Sequence, residues 1–345
     1  MSQVNPKSKE IPESSLIMHS STSYLRGYLF ILVAVTFWGG SASLAKYLFA
    51  TRFDAMIISQ MRVSLSFLVL AGFFLLKNRS IFIIDRKDTV WFVLLGIIGV
   101  AMTNFAYYFT VQESTVATAI LIQYTAPVLV MIYAVAISKE EAFNGMKVIS
   151  LVLSLVGCFF AVSGGAVSEI KLRGWALVTG PAAALCYAYM LVAGPPKCKA
   201  RLRAEALRRA STSARAGKKV LRKYSVWTML TYAFGVATLF WLVVNPPWLI
   251  AAKAYTASDW GIFWIFAIVS ILIPHATFSA GLKILEASSV GIASTLEPII
   301  AIAIAYVALN ETLNAVQIAG AAAVVFGVLV LQVASYRKIL RRAIP

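Results

Sequence analysis

Charged side chains are scarce in this sequence, and acidic ones are the scarcest. Only 13% of the 345 residues are charged, with 14 Asp and Glu against 31 Lys and Arg. Soluble domains have about a quarter charged residues and about half apolar ones. Here 60% are hydrophobic and the mean hydropathy is +0.81. This composition excludes a water-soluble globular domain.

Residues that carry chemistry are also few. Of the three cysteines, Cys158 and Cys186 lie in apolar runs and Cys198 lies in a basic segment, which excludes a disulfide framework and zinc-ligand spacing. The sequence contains no GxxxxGK[ST], HExxH, CxxC or serine-elbow motif. Hence we predict no ATP hydrolysis, no enzymatic activity and no cofactor or metal.

Apolar residues come instead in runs of about 20, the length with which a helix crosses a hydrocarbon layer roughly 30 Å thick. Ten such runs follow one another with short polar connections, which predicts an all-α integral membrane protein of ten transmembrane helices. The connections leave no room for a second, soluble domain. The predicted spans 1 to 10 cover residues 28–48, 55–76, 89–110, 115–137, 146–165, 174–194, 225–244, 260–282, 288–309 and 315–335.

The basic residues predict the orientation. An even number of spans puts both termini on one side of the bilayer, and that side carries nearly all Lys and Arg. The other side carries Arg52, Lys171, Arg173 and Lys253. Cytoplasmic loops have an excess of Lys and Arg, so both termini are predicted to be cytoplasmic, in the plasma (inner) membrane. This alternation explains the net charge of +17 without a nucleic-acid partner.

The two halves of the chain resemble each other. RGYLFILVAVTFWGG begins at Arg26 and resembles RGWALVTGPAAALCY, which begins at Arg173. STVATAILIQYTAPVLVMIYAVAISKEE resembles EASSVGIASTLEPIIAIAIAYVALNET, and this pair aligns Pro127 with Pro298. Five spans is an odd number, so the second copy is inverted relative to the first. Inverted repeats are common in transporters, with the binding site near the bilayer midplane between the repeats.

The repeat defines the domain organisation. We predict a polar cytoplasmic N-terminus at 1–25, a first repeat at 26–165, a second at 166–335 and a basic cytoplasmic tail at 336–345. The offset between the halves is 147 at Arg26 and 171 at Pro127, and the segment 195–218, PPKCKARLRAEALRRASTSARAGK, has the length of that difference. We interpret it as a basic inserted loop. It is either a simple cytoplasmic loop, a segment that binds lipid headgroups or a partner, or a segment introduced by engineering.

Several motifs resemble the EamA branch of the drug/metabolite transporter superfamily. They are FWGGSASLAKYLF in span 1, SQMRVSLSFLVLAGFFLL in span 2, the YTAP and LEP segments in spans 4 and 9, and the acidic turns KEE at 139–141 and NET at 310–312. The resemblance covers nearly the whole chain outside 195–218 and the N-terminus, and makes the two halves EamA repeats. It implies a central cavity open to one side at a time, and substrates such as amino acids, other metabolites or lipophilic cations. Family members often have Glu-Pro in both repeats, whereas the first repeat here has Ala126-Pro127. That departure argues against a mechanism with a symmetric carboxylate pair.

Four prolines lie within predicted spans. Each lacks an N–H and frees the carbonyl four residues earlier, and such groups are tolerated in lipid only where protein or a wet cavity satisfies them. The prolines are Pro127, Pro181, Pro274 and Pro298, and the freed carbonyls are those of Gln123, Leu177, Ser270 and Ser294. Kinked helices that line a cavity are one interpretation, and simple bending for packing is the other.

Glu297 is the leading candidate for a functional residue. It lies about nine residues into span 9, roughly 14 Å deep at 1.5 Å per residue, beside Pro298. Intramembrane acids usually mark substrate or ion paths, so a substrate-binding Glu297 that is protonated part of the time is predicted. The alternative is a permanently protonated residue that stabilises the kink.

Two further titratable residues lie in spans. Arg62 in span 2 can pair with a carboxylate of the protein or of the substrate, and a structural role is the favoured interpretation. His275, beside Pro274, is either a proton relay or a packed, hydrogen-bonded histidine.

Aromatic and neutral polar residues complete the candidate site. The rings of Trp38, Tyr124 and Tyr187 fall near midplane and could stack on a planar or cationic substrate. Three neutral groups could hydrogen-bond a substrate beside them or join helices together. They are Asn104, Gln123 and Thr36.

These observations predict a secondary transporter that exports small, amino-acid-like metabolites by alternating access. Its partners would be the lipid bilayer, a small-molecule substrate and, as a candidate coupling ion, protons. Efflux of lipophilic or quaternary cations is the alternative within transport, and it is disfavoured if Arg62 faces the cavity. From another class, a membrane-embedded enzyme or lipid-binding scaffold lacks the clustered polar groups it would need at one interface.

Overall fold

A computed structural model of the chain describes residues 13–49, 53–139, 141, 143–166, 174–192, 224–309 and 313–343. All regular elements in these ranges are helical. Ten long helices, named α1 to α10, follow the ten predicted spans in order. In the first half, α1 is Glu13–Phe49, α2 is Ala55–Lys77, α3 consists of Thr89–Leu94, Leu95–Met102 and Thr103–Glu113, α4 consists of Val116–Gln123, Ala126–Ile132 and Tyr133–Ile137, and α5 is Gly145–Ser163. In the second half, α6 is Ala176–Val192, α7 is Val226–Val244, α8 consists of Ala257–Ala267, Ile268–Leu272 and Ile273–Leu282, α9 consists of Ala287–Ser294 and Leu296–Leu309, and α10 is Ala315–Ala343.

Eight of these helices, within the described ranges, are long and apolar enough to cross a membrane, which makes the chain an integral membrane protein. The other two are α1 and α6. Helix α6 is apolar, but with 17 residues it is shorter than each of those eight helices. The ten-span arrangement therefore stays a prediction. The predicted insertion at 195–218 lies outside the described residues.

The outer helices extend past their predicted ends. Helix α1 begins at Glu13, not at 28, and α10 ends at Ala343, not at 335. The segments added are polar or basic, so an apolar run does not reveal them. No proline or glycine interrupts the chain between Glu13 and Arg26, so the helix continues into polar sequence.

Polar side chains cap several helices. The Asp54 carboxylate accepts from the Ile57 N–H at 2.8 Å, and Thr256 with Asp259 forms a capping box at the start of α8. Such caps satisfy N–H groups that a helix leaves unpaired at its start. Lys253 also donates to Asp54 at 2.5 Å, linking the α7–α8 and α1–α2 connections, and this hydrogen bond raises the pKa of Lys253.

Four helices are interrupted in the middle of their length. Helices α3 and α8 contain a π-helical segment, Leu95–Met102 and Ile268–Leu272 respectively. Helices α4 and α9 break into two pieces, after Gln123 and after Ser294. π segments occur frequently at functional sites, and broken helices near midplane form binding sites in many transporters.

The helices pack in pairs across the two halves of the chain. Helix α1 packs against α8 and α9, α6 against α3 and α4, and α7 against α2 and α3; α2 also packs against α8, α4 against α9, and α5 against α10. Glycine permits the closest approach, between α5 and α10. A Cβ at Gly320 would lie 2.3 Å from the Ala161 nitrogen, so only glycine fits there.

Candidate functional site

A small cavity of about 50 Å³ lies among the interrupted helices. Seven helices contribute to the wall, α1 to α4 from the first half and α6, α8 and α9 from the second. The lining residues are Trp38, Ser41, Arg62, Thr103, Asn104, Tyr107, Tyr108, Gln123, Tyr187, Met190, His275 and Glu297.

Glu297 lies in this wall just after the break in α9. Thr295 ends the first piece of the helix, and Leu296 begins the second piece with Glu297 in its first turn. The residue is 7% exposed, and its Oε2 accepts a hydrogen bond of 2.7 Å from the Tyr124 hydroxyl. Tyr124 lies at the break in α4. The two breaks are therefore joined by one side-chain hydrogen bond.

Helix α1 passes directly over the break in α9. A Cβ at Gly39 would lie 2.8 Å from the Glu297 carbonyl oxygen and 3.1 Å from the Ala301 nitrogen. Glycine at this position allows the two backbones to touch. Trp38, the preceding residue, lines the cavity beside this contact.

Arg62 is 2% exposed and binds the backbone of α8. Its Nη2 donates to the Ser270 carbonyl at 2.5 Å, the carbonyl that Pro274 was predicted to free. Ser66, one turn further along α2, donates to the Ala267 carbonyl at 3.0 Å. Two side chains on one face of α2 thus satisfy carbonyls at the π segment of α8.

The remaining surface of the Arg62 guanidinium faces aromatic rings. Its carbon lies 4.5 Å from the Tyr108 ring centroid and 5.2 Å from that of Phe266, within the range of cation–π attraction. Nε and Nη1 are buried without a hydrogen-bond partner in the described part of the chain. Arg62 therefore has a structural bond and also carries a positive charge on the cavity wall.

His275 packs between aromatic rings. Its Nδ1 lies 3.0 Å from the Ile271 carbonyl, so Nδ1 carries a proton and donates to that oxygen. The ring meets Trp38 edge-on at a centroid distance of 5.2 Å and Phe234 at 5.6 Å. These contacts fit the packed histidine of the two predicted interpretations, although the residue also lines the cavity.

Neutral polar groups of α3 and α4 complete the wall. The Asn104 side-chain nitrogen donates to the Val100 carbonyl at 2.7 Å, and Thr103 donates to the Ile98 carbonyl at 3.0 Å. Both bonds satisfy carbonyls around the π segment of α3. Gln123 Oε1 and the Tyr107 hydroxyl are buried with no partner in the described residues. Buried polar atoms usually have partners, so these two are positioned to bond a ligand.

Most of the predicted substrate-binding residues come together at the cavity, and two do not line it. Glu297, Trp38, Gln123, Asn104, Tyr187 and His275 are in the wall, as is Arg62, while Tyr124 lies behind Glu297. Thr36 is exposed on α1, and its hydroxyl donates to the Leu32 carbonyl at 2.8 Å. Thr36 is two residues from Trp38, about 200° around a helix of 3.6 residues per turn, so the two face opposite sides.

The four prolines have different positions. Pro127, Pro274 and Pro298 are buried in the first turn of the helical piece that follows an interruption, a position where proline is common. Pro181 lies inside the continuous helix α6 and is exposed, so the structure does not bring it to the cavity.

Sequence reasoning missed five lining residues. They are Ser41, Thr103, Tyr107, Tyr108 and Met190. Each lies one, three or four residues from a predicted site residue on the same helix, as Ser41 does from Trp38 and Met190 from Tyr187. The helical spacing of three and four residues was the signal that could have found most of them.

Comparison with known families identifies the class of protein. The sequence matches the EamA-like transporter family over residues 25–163 and 210–333. The chain therefore belongs to this family of transporters, in agreement with the resemblance of its motifs.

Individual relatives are distant. The chain is 25% identical to the inner membrane transporter YicL of Salmonella typhimurium over 48% of its length and 55% of YicL. It is 28% identical to the threonine/homoserine exporter RhtA of Escherichia coli over 48% of the chain and 51% of RhtA. Each of these alignments thus spans about half of the relative. A transporter of Bacillus subtilis, YyaM, is 21% identical over 89% of the chain and 93% of YyaM.

A crystal structure of another protein has the same fold. It superposes with a TM-score of 0.64, covering 91% of this chain and 99% of the other, at 16% sequence identity. At this identity the likeness concerns the fold alone.

Proposed function

We propose that the protein is a secondary transporter with ten membrane spans in two inverted five-helix repeats, and that it exports small, amino-acid-like metabolites by alternating access. The observation that carries the proposal is the cavity that both halves build around two broken helices, with Glu297 in its wall. A site between repeats, at breaks near midplane, is typical of secondary transporters that work by alternating access.

The positions of the helices support the inverted repeat. Adding 171 to Asp54, which caps α2, gives Ser225, which caps α7. Adding 171 to Val116–Gln123, the first piece of α4, gives the bounds of the first piece of α9, Ala287–Ser294. The π segments of α3 and α8 overlap at the same offset. The interruptions are thus repeated as well as the apolar runs.

The packing supports the repeat independently of sequence position. If α1 to α5 correspond to α6 to α10, the most extensive contacts between helices of different halves should have counterparts. The contact between α1 and α8 corresponds to the contact between α6 and α3, and the contact between α1 and α9 corresponds to the contact between α6 and α4. The pair α3–α7 corresponds to α8–α2, and the pairs α2–α7, α4–α9 and α5–α10 correspond to themselves. A twofold relation between the halves accounts for this set.

The proposal includes the domain organisation and the orientation that the sequence predicts. Residues 26–165 and 166–335 form the two repeats, 195–218 is an insertion in the second, and both termini are cytoplasmic. The excess of Lys and Arg in the connections on one side supports the orientation.

The charges of the cavity support an amino-acid-like substrate. Its wall contains one carboxylate, Glu297, and one guanidinium, Arg62, and within the described residues no ion pair joins them. A zwitterion matches a wall that carries both signs, whereas a lone cation would be repelled by Arg62. The similarity to RhtA, named as a threonine/homoserine exporter, supports the same class.

Efflux of lipophilic or quaternary cations is the second candidate within transport. Glu297 and the rings of Trp38, Tyr107 and Tyr187 favour it, and the position of Arg62 at the cavity wall opposes it. A membrane-embedded enzyme or lipid-binding scaffold is the candidate from another class, and membership of a transporter family opposes it.

A binding screen followed by transport tests the proposal. Thermal melting of the purified protein is measured with amino acids, amines, quaternary ammonium ions and polyols, because a ligand stabilises the folded state by mass action. Compounds that raise the melting temperature are then offered as radiolabelled substrates to proteoliposomes. Saturable counterflow of an amino acid is the expected result. Counterflow of quaternary cations alone would select the second candidate, and a stabilising lipid without any counterflow would select the third.

A further inference from the structure

A buried ion cluster joins the two halves at one end of the bundle, away from the cavity. Lys147, in the first turn of α5, donates to Glu141 at 2.7 Å, to Glu286 at 2.5 Å and to the Ser288 hydroxyl at 2.9 Å. The side chains of Lys147 and Glu141 are 8% and 7% exposed, and that of Glu286 is 30% exposed. We call these four residues the latch. Lys147 and Glu141 belong to the first half, and Glu286 and Ser288 to the second.

The latch holds the start of α9. Glu286 is the N-cap of the piece Ala287–Ser294, and Glu141 accepts from the Ser288 N–H at 3.3 Å and from the Ser288 hydroxyl. A carboxylate at a helix N-terminus also interacts favourably with the helix dipole. The same piece ends at the break that precedes Glu297. One short helical piece therefore connects the latch with the cavity.

The other end of the bundle has no equivalent cluster in the described residues. In the repeat, at the offset of 171, Lys147 corresponds to Ile318, Glu286 to Thr115 and Ser288 to Ala117. Ile318 is 56% exposed, and Thr115 bonds within its own helix, to the Thr118 N–H and hydroxyl. In the described residues the buried cluster thus occurs at one end, whereas the ion pair that joins the halves at the other end, Lys253–Asp54, is exposed.

We propose that the latch is the gate that closes the cytoplasmic entrance to the cavity, an inference that rests on the proposed function. Alternating access requires the halves to separate at one end of the bundle while they meet at the other. The latch residues lie on connections and helix starts that the predicted topology puts on the cytoplasmic side.

An ion cluster suits a contact that must open and close. Buried ion pairs gain little net stability over alternatives, because desolvation offsets much of their attraction. When the halves part, water enters and hydrates each charge, so the separated state is not prohibitively costly. An apolar contact of the same area would instead expose hydrophobic surface to water at every opening.

The first test measures access to the cavity and needs no substrate. A reporter cysteine replaces Met190, which lines the cavity, in a protein whose own three cysteines are changed to serine. The latch is neutralised by combining Lys147→Met, Glu141→Gln and Glu286→Gln, so that none of its own side chains keeps a charge. The matched control is Lys139→Met, an exposed lysine of the same connection.

An impermeant thiol reagent is applied to right-side-out and inside-out vesicles. We expect labelling from the cytoplasmic face to rise about fivefold or more in the neutral variant, the lower end of typical conformational couplings. Labelling from the outer face should fall, and Lys139→Met should match the parent. Unchanged labelling from both faces, in a variant with the parent's melting temperature, would overturn the proposal.

The second test does not depend on the stability of the neutral variant. Glu141→Cys and Ser288→Cys are combined and joined by a short bifunctional thiol reagent with a reducible bridge. The expected result is loss of transport, recovered when the bridge is reduced. If the bridged protein transports as fast as the reduced one, the halves do not part here and the cluster is a fixed structural contact. The labelling test needs no transported substrate, so it can still be read if the transport proposal fails. Failure of the gate proposal and failure of the transport proposal are therefore distinguishable.

Discussion

Tyr124 donates a hydrogen bond of 2.7 Å to Glu297, and the two residues come from the corresponding broken helices of the two halves. In the repeat, however, Glu297 corresponds to Ala126, and Tyr124 corresponds to Thr295. One break supplies a phenol and the other a carboxylate. The helix breaks recur at the offset of 171, but the side chains at the two breaks differ, and the carboxylate comes from the second half alone.

The first prediction concerns Glu297. Glu297→Gln keeps the size of the side chain and an acceptor for Tyr124 but removes the titration. A lone acid within a membrane is costly when charged, so its ionisation should be coupled to a proton or to a cationic group of the substrate. We expect the variant to fold while transport in proteoliposomes, or its dependence on pH, is lost.

The exposed residue Glu113 provides the matched control for this experiment. Glu113→Gln removes a carboxylate from the end of α3 and should leave the pH profile of transport unchanged. Parent-like transport by Glu297→Gln at every pH would make Glu297 a structural residue of the break.

The second prediction concerns Arg62 and Pro274. Arg62→Met leaves the Ser270 carbonyl without its donor, which should cost about 1–3 kcal/mol in addition to lost packing on Tyr108. Pro274→Ala supplies a backbone N–H that can reach the same carbonyl. In that background the cost of Arg62→Met should be smaller by a similar amount.

A double-mutant cycle of unfolding free energies in mixed micelles measures this coupling. The comparison pair is Ser66→Ala with Pro274→Ala, because Ser66 bonds a different carbonyl, that of Ala267. Arg62 and Pro274 should couple more strongly than this pair. Equal coupling in the two cycles would show that the proline does not free the carbonyl that Arg62 binds.

The third prediction concerns orientation. Single cysteines at Ser14 and Ser211 should resist an impermeant thiol reagent in intact cells, because the basic connections place these positions in the cytoplasm. A cysteine at Ser168 should react. Reaction at Ser14 together with protection at Ser168 would reverse the topology.

The fourth prediction concerns residues 195–218. Deleting them joins Gly194 to Lys219 and restores one common offset between the halves. Short connections suffice for antiparallel neighbouring helices, so folding and transport should persist. A variant that lacks 320–343, a segment of equal length in α10, serves as a size-matched comparison and should fail to fold. Loss of folding on deleting 195–218 would assign the segment to the working structure.

Apolar run length and polar caps made most helix positions predictable. Residues 55–76 were expected to be helical and Ala55–Lys77 is observed, because Asp54 caps the start and a polar segment follows the end. The start of α1 was not predictable in this way, since the helix extends through polar sequence. The π segments of α3 and α8 depend on packing between helices, and the apolar runs that contain them continue without interruption.

The partners of the site residues could not be predicted from the sequence. Pro274 predicted that the Ser270 carbonyl needs a donor, but that this donor is Arg62 depends on which face of α2 meets α8. Similarly, Glu297 and Tyr124 were both predicted to bind substrate, and the bond between them depends on how α4 packs against α9. Thr36 and Trp38 differ only by their rotation about α1, which an apolar run of this kind does not determine.

If transport is coupled to protons through Glu297, the one carboxylate in the cavity wall of the described residues limits the work that a proton gradient can perform. A carrier coupled through Glu297 alone exchanges at most one proton for each substrate molecule. One pH unit corresponds to about 1.4 kcal/mol, a factor of ten in an equilibrium constant. Such a carrier could maintain at most about a tenfold concentration ratio of a neutral or zwitterionic substrate per unit of pH difference, apart from any contribution of the membrane potential. A wall with Glu-Pro at both breaks would allow two protons and a hundredfold ratio, so in a carrier of this kind the alanine at position 126 would set the energetic ceiling of the cycle.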